Sequence, residues 1–369
     1  MSVKDHINIL IAPLDWGLGH ATRCIPIINH LIKLKCNVII ATEGKQHNLL
    51  KTEFPQLQFV HLPSYDIRYS NKKRFFNLKI ILQLPKLIIA IRKEKKWLHQ
   101  FLFNNNISTV ISDNRYGLFH TSVQSIFITH QLTIKAGFPF VEKMLEKLNY
   151  RHINHFSVCW IPDQCGKTNL AGKLSHPVKL PAIPVKYIGV LSRFDRQYQI
   201  IKQIKLLIVL SGPEPQRTLL EKIVLKQLDK IEKQVIFVRG LPGNTTALPN
   251  QKNITFHNHL PANQLEQAFQ QSEYLISRCG YTTVMDICKL KIKSILIPTP
   301  GQTEQEYLAE HLQKQGFCLS VKQEGFNLIK ELEKAEKFEY IFPDFDMENY
   351  KTILNEFVEN LTINKGIHF

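Results

Sequence analysis

Four short segments hold the residues that could do chemistry. The first, Pro13-Leu14-Asp15-Trp16-Gly17-Leu18-Gly19-His20-Ala21-Thr22, sets two glycines before a histidine. Glycines let a backbone turn tightly beside a ligand, and the N–H groups opening a following helix suit anionic or polar groups. His20 stands where the loop enters that helix, and an imidazole titrating near neutral pH could take a proton from an incoming hydroxyl; the plain alternative is a histidine that caps the turn. Thr22 occupies the place of the third glycine of a dinucleotide fingerprint, which argues against a nicotinamide cofactor.

The second segment, Leu210-Ser211-Gly212-Pro213-Glu214-Pro215-Gln216-Arg217, offers Ser211 and Gly212 to a phosphate, although its prolines also read as a helix start. In the third, Ser277-Arg278-Cys279-Gly280-Tyr281-Thr282-Thr283-Val284-Met285-Asp286, a glycine turn runs into a helix whose first N–H groups suit a diphosphate. Thr282 and Thr283 add donors. Asp286, about one turn on, could accept both hydroxyls of a ribose, or could simply be a favourable charge in a first helical turn. The fourth, Pro298-Thr299-Pro300-Gly301-Gln302-Thr303-Glu304-Gln305-Glu306-Tyr307, supplies Gln305 and Glu306, an amide and a carboxylate of the kind that hold sugar hydroxyls. Acids and amides are common in first helical turns, so its weight comes from company.

The elements that would position these segments alternate along the whole chain. Strands are expected at 6–12, 37–42, 57–62, 109–112, 125–129 and 157–161, with helices near 21–35, 76–103 and 140–156. After a proline-rich stretch at 177–184 the rhythm restarts. Strands are expected at 204–210, 234–238, 253–257, 273–277, 294–298 and 317–321, and helices near 214–232, 262–271, 282–290 and 304–315. Such alternation implies βαβ units and parallel sheets covered on both faces, an α/β class with two doubly wound domains. Ligands of these sheets bind beyond the carboxyl ends of the strands, where all four segments fall.

Length and composition agree. The chain has 369 residues, 44% hydrophobic and 21% charged, enough for two domains and too apolar for disorder. Seven scattered cysteines without a CxxC pair argue against a disulfide framework or a zinc site. No signal peptide and no apolar run long enough to span a bilayer is evident, so a cytoplasmic protein is expected. The net charge of +16 is uneven: residues 1–192 hold 25 lysines and arginines against 10 acids. Ten of those cations lie in 68–96, interleaved with Phe75, Phe76, Ile80, Ile81, Ile88 and Ile89. Cations flanking apolar side chains suit an anionic membrane surface, at about 1 kcal/mol per cation, so peripheral contact at the inner face of the membrane is expected through 68–96. A buried helix with solvated ends is the alternative. No nucleic-acid motif accompanies the charge, and no nucleic-acid partner is expected.

The third and fourth segments together resemble the C-terminal donor domain of glycosyltransferase family 28, and the Gly17-Leu18-Gly19-His20 turn resembles that family's N-terminal glycine-rich loop. The resemblance implies a GT-B fold, two Rossmann-like domains with a nucleotide sugar held in the cleft. It implies 1–192 as acceptor domain, 193–345 as donor domain, and 346–369 as a C-terminal helix crossing back to the first. It places Gly19 in the donor loop, Gly280, Thr282 and Thr283 at the diphosphate, Asp286 at the ribose, and Gln305 and Glu306 at the sugar. Arg193 matches a linker arginine approaching the phosphates, Leu260 a residue whose backbone reads the uracil, and Ser211-Gly212 a phosphate loop. His130-Gln131 resembles the start of a run on the acceptor side. Asp286 stands where the family has Glu, and Glu306 where it has Gln, so the donor sugar is left open.

The expected activity is an inverting, metal-independent hexosyl transfer from a UDP-sugar, UDP-N-acetylglucosamine favoured, to a hydroxyl of a lipid-linked or glycan acceptor of the cell envelope, with His20 as base and no bound cofactor. Helix N-termini and an arginine would stabilise the leaving diphosphate. A hydrolase or epimerase of nucleotide sugars, a nicotinamide-dependent oxidoreductase and a non-catalytic sugar-nucleotide binder are the alternatives weighed.

Overall fold

The computed structural model describes residues 7–65, 84–195, 200–243, 245 and 247–364. Among these the chain divides into two compact units. One runs to Leu191 and takes the chain back from Phe345, and the other holds Ser192–Asp344.

In the first unit, β1 (Asn8–Pro13), β2 (Asn37–Thr42), β3 (Gln58–His61), β4 (Thr109–Asp113), β5 (Gln124–Ile128), β6 (Val158–Ile161) and β7 (Val185–Tyr187) form a parallel sheet in the order β3-β2-β1-β4-β5-β6-β7. The helices α1 (Leu18–Lys33), α2 (Gly44–Glu53), α3 (Leu84–Asn104) and α4 (Pro139–Ile153) belong to its crossovers. Runs such as Leu10-Ile11-Ala12 and Val38-Ile39-Ile40-Ala41 are apolar at successive positions because both faces of the strand are buried. Leu98 of α3 packs over Leu10, Ile39 and Val110, and Ile153 of α4 over Phe127. Each such buried side chain contributes about 1.5–3 kcal/mol.

The second unit repeats the plan. Here β8 (Ile204–Val209), β9 (Val235–Val238), β10 (Ile254–His257), β11 (Ser272–Ser277), β12 (Lys293–Leu296) and β13 (Leu319–Ser320) pair in parallel in the order β10-β9-β8-β11-β12-β13. Its helices are α5 (Gln216–Leu225), α6 (Ala262–Gln271), α7 (Tyr281–Leu290), α8 (Thr303–Lys314) and α9 (Leu328–Lys337). Leu220 and Val224 of α5 and Leu328 and Leu332 of α9 share one core with Ile208 and Phe237. A last helix, α10 (Asn349–Asn364), returns to the first unit. There Asn355 bonds His30 of α1 at 2.7 Å and Phe357 meets Trp160 edge to face at 5.3 Å.

Two doubly wound parallel sheets are therefore present, as the alternation of strands and helices implies. In both sheets the strand order reverses once, between β1 and β4 and between β8 and β11. Such a switch point opens a crevice at the carboxyl edge, where ligands of doubly wound sheets bind.

The departures are local. Helix α5 stops at Leu225, short of the expected 232, because Leu228 turns into the core on a 3-10 turn, Leu228–Lys230. Helix α2 buries only Gln46 and Leu50, too little apolar periodicity to be read from sequence. Helix α9 was also missed, although Asn327 caps it and Leu328, Leu332 and Ala335 line its buried face. The edge strand β7 has only three residues. Of the basic segment 68–96 and the expected helix 76–103, residues up to 83 lie outside the described residues.

Candidate functional site

In the first unit the chemistry gathers at the switch point. Pro13 ends β1 directly beside Asp113, the last residue of β4. Gly17, at φ +131°, turns the chain into α1, whose first turn carries Gly19 and His20. His20 Nδ1 lies 2.8 Å from Asp113 Oδ1. Arg23, one turn on, grips both oxygens of Asp113 through Nε and Nη2. Its Nη1 lies 3.0 Å from His130 Nδ1, beyond the end of β5. Gln131 follows, its N–H bonded to Thr129 and its carbonyl accepting from Asn149.

Burial and charge act on both groups of the pair. Asp113 and Arg23 are almost wholly buried, whereas the His20 side chain keeps 17% exposure. Burial alone would raise the Asp113 carboxyl, but the Arg23 guanidinium, His20 and their hydrogen bonds hold it well below the usual carboxylate range. His20 is pushed below its ordinary value by burial first and then by the Arg23 charge, with Asp113 opposing. The imidazole is therefore neutral at neutral pH. His20 Nδ1 faces both the Asp113 acceptor and, at 2.9 Å, the Arg23 Nη2 donor; the tautomer that serves Asp113 carries the ring proton on Nδ1. That assignment leaves a lone pair on Nε2, the form a general base requires.

Of this cluster sequence reading found His20 and His130 but missed Asp113 and Arg23. The available signals were an acid closing an apolar strand and an arginine on an apolar helix face. Neither shows that the two meet.

In the second unit the other three segments and the turn at Leu260 lie at the carboxyl edge of one sheet. Gly280 opens α7 and Thr282 and Thr283 stand in its first turn. Leu260, buried, precedes Pro261 at the start of α6. Exposed Ser211 and Gly212 follow β8, and Gly212 (φ +102°) faces Thr299 and Arg278. Asp286 is only 4% exposed and accepts from the Ser192 hydroxyl at 2.7 Å and from the Arg193 backbone. Burial pushes its carboxyl up to about 6, against the Arg193 charge and these hydrogen bonds. The Arg193 guanidinium lies 4.9 Å over the Phe194 ring. Gln305 and Glu306 turn back on their own loop: Gln305 Oε1 accepts from the Thr299 N–H at 2.9 Å and Glu306 Oε1 from the Gly301 N–H at 3.0 Å. These bonds are the ordinary way a helix start closes its turn.

A chain of two doubly wound parallel-sheet units, each with polar groups at its switch point, is a protein of the GT-B class. Residues 206–347 match the family model "Glycosyltransferase family 28 C-terminal domain", which makes the chain a glycosyltransferase carrying that family's C-terminal domain. Solved structures agree in fold. The glycotransferase of kitacinnamycin superposes with a TM-score of 0.62 at 12% identity, covering 97% of this chain and 96% of its own. MurG of Acinetobacter baumannii gives 0.53 at 14% identity, covering 97% and 99%. A protein assigned as UDP-N-acetylglucosamine 2-epimerase from Listeria monocytogenes gives 0.59 at 13% identity, covering 97% of both chains. No curated protein matches the chain in sequence.

Proposed function

We propose that the protein transfers a hexosyl group, with inversion, from a UDP-sugar to an acceptor hydroxyl, and that His20 is the base. The observation that carries this reading is the His20–Asp113 pair at the switch point of the first unit. Nε2 takes the hydroxyl proton as the acceptor oxygen attacks the anomeric carbon. The bond from that carbon to the diphosphate breaks, and the nucleoside diphosphate leaves with the electron pair. Attack opposite the leaving group inverts the centre. Charge developing on the diphosphate is met by the N-terminus of α7 with Gly280, Thr282 and Thr283, by the Ser211-Gly212 turn and by Arg193. The backbone at Leu260 takes the base, Asp286 serves the ribose, and Gln305 and Glu306 the sugar. Gly19 borders the base. His130 and Gln131 stand on the acceptor side.

UDP-N-acetylglucosamine is the favoured donor, and a lipid-linked or glycan molecule of the cell envelope the favoured acceptor. No helix among the described residues is long and apolar enough to cross a membrane. Peripheral contact at an inner membrane face is supported by α3, where Ile88 and Ile89 are exposed beside exposed Lys86, Arg92, Lys93, Lys95 and Lys96. Charge reversal at Lys86, Arg92 and Lys93 should abolish co-sedimentation with phosphatidylglycerol vesicles; full retention removes the membrane from the reading.

The test of the main reading is UDP release from a panel of UDP-sugars, with and without candidate acceptors, by wild type and His20→Asn. Loss of the base should lower kcat by about 10²–10⁴-fold. Turnover surviving in His20→Asn would sink it. The likeness to an epimerase favours one second reading, hydrolysis or epimerisation of a nucleotide sugar. Turnover of the donor without any acceptor, giving free or epimerised sugar, would establish that instead.

A further inference from the structure

Arg23 touches more of the first unit's site than its pairing with Asp113 requires. The side chain is 2% exposed and leaves α1 one turn after His20. Nε and Nη2 hold the two oxygens of Asp113, and Nη2 also lies 2.9 Å from His20 Nδ1. The remaining nitrogen, Nη1, reaches His130 Nδ1 at 3.0 Å. Because β4 pairs with β1 on one side and β5 on the other, this guanidinium ties together groups at the carboxyl ends of three adjacent strands. A cation that only balanced Asp113 would need no contact beyond the carboxylate.

The third arm has a chemical consequence. A guanidinium donates hydrogen bonds and accepts none. The His130 nitrogen that faces it therefore carries a lone pair, and the ring proton of His130 is assigned to Nε2. Next to that proton stands the Gln131 side chain, its amide 3.5 Å from His130 Nε2. Two N–H groups do not bond each other, so the amide turns its oxygen to the ring, a half-turn that exchanges oxygen and nitrogen. The Gln131 backbone is pinned, its N–H on Thr129 Oγ1 and its carbonyl on Asn149 Nδ2, each at 3.0 Å, which leaves only the side chain to choose. His130 is buried, whereas Gln131 is half-buried just beyond β5, so the amide NH2 is the end left for a ligand.

We infer that Arg23 is a positioning residue for the acceptor side of the site: through His130 it sets the Gln131 amide with its oxygen inward and its NH2 toward the acceptor. This assignment rests on the reading of His20 as the base in hydroxyl transfer. One buried cation then presents two groups of opposite kind. His20 Nε2 takes the proton of the attacking hydroxyl, and the Gln131 NH2 donates to a neighbouring oxygen of the same acceptor. A lysine in place of Arg23 would keep the charge beside Asp113 and lose the link to His130.

Nuclear magnetic resonance of the full chain, with the histidine ring nitrogens labelled, reads this directly. In wild type His130 should show a bare Nδ1 and a protonated Nε2, and His20 the reverse. In Arg23→Lys the His130 resonances should shift toward the mixed values of free histidine, while those of exposed His99 stay in place. Gln131→Glu keeps an oxygen for His130 and removes the outward donor, so in acceptor-dependent UDP release the acceptor KM should rise about tenfold with kcat little changed. A proton on His130 Nδ1 in wild type, an unmoved His130 in folded Arg23→Lys, or an unchanged KM in Gln131→Glu overturns the assignment. If Arg23→Lys fails to fold, the wild-type spectrum and Gln131→Glu decide. A bare His20 Nδ1 beside the expected His130 sinks the base and leaves the Arg23 link standing. No acceptor-dependent release by wild type overturns hydroxyl transfer and with it the Gln131 donor.

Discussion

His20 Nδ1 and Asp113 Oδ1 are 2.8 Å apart although the two residues are 93 positions apart in the chain. Adjacent pairing of β1 and β4 brings them together, with the buried guanidinium of Arg23 balancing the acid. The result is a neutral, oriented imidazole with a charged anchor behind it.

The pH profile should follow from that environment. Burial and Arg23 place the His20 pKa below 6.5, and a base works unprotonated. The rate should therefore fall only as pH drops through a value below 6.5 and be flat at neutral pH. A log kcat/KM profile still rising between pH 7 and 8 would show that another group is the base. The linked stability term has the same sign: the unfolded chain takes up the His20 proton first, so stability falls as pH falls from about 6.5.

Removing the anchor should cost stability as well as activity. Asp113→Ala strands the Arg23 charge in the core, a loss of about 3–5 kcal/mol. Urea denaturation should show it as a lower midpoint. A midpoint within experimental error of wild type would mean that Arg23 finds another partner.

Asp286 should work in the opposite direction. Its folded pKa is raised to about 6 from an ordinary 3.8, chiefly by burial. A raised pKa stabilises below the unfolded value, and that contribution is lost as pH climbs through about 6. Asp286→Asn should gain on wild type between pH 4 and 7, by something on the order of 3 kcal/mol. A gap in Tm between the two proteins that stays constant over this range would contradict the assignment.

Glu306 has a structural duty that can be separated from any contact with sugar. Glu306→Ala leaves the buried Gly301 N–H unpaired and should destabilise by about 1–3 kcal/mol. Glu306→Gln keeps an acceptor oxygen and should be near neutral in stability. An unfolding curve of Glu306→Ala superimposable on wild type would remove that duty.

By itself the sequence determined the fold class and most of its strands, because runs such as Val38–Ala41 and Leu206–Ile208 are apolar wherever a parallel strand is buried on both faces. The four turns were legible for a similar local reason. Glycine, proline and hydroxyl residues between a strand and a helix mark where a chain bends and where N–H groups open outward. Helix α2 was not legible, since a helix burying two side chains has almost no periodic signal.

Only the tertiary structure decided which of these groups act together. Asp113 in sequence is an acid at the end of an apolar strand, and Arg23 a cation in a helix; their pairing behind His20 depends on β1 lying next to β4. Asp286, Gln305 and Glu306 are free polar groups when read along the chain, and become bonded to Ser192, Thr299 and Gly301 once the loops close. Charge balance inside a protein is set by distance through space, and chain order carries that information only as far as the next turn.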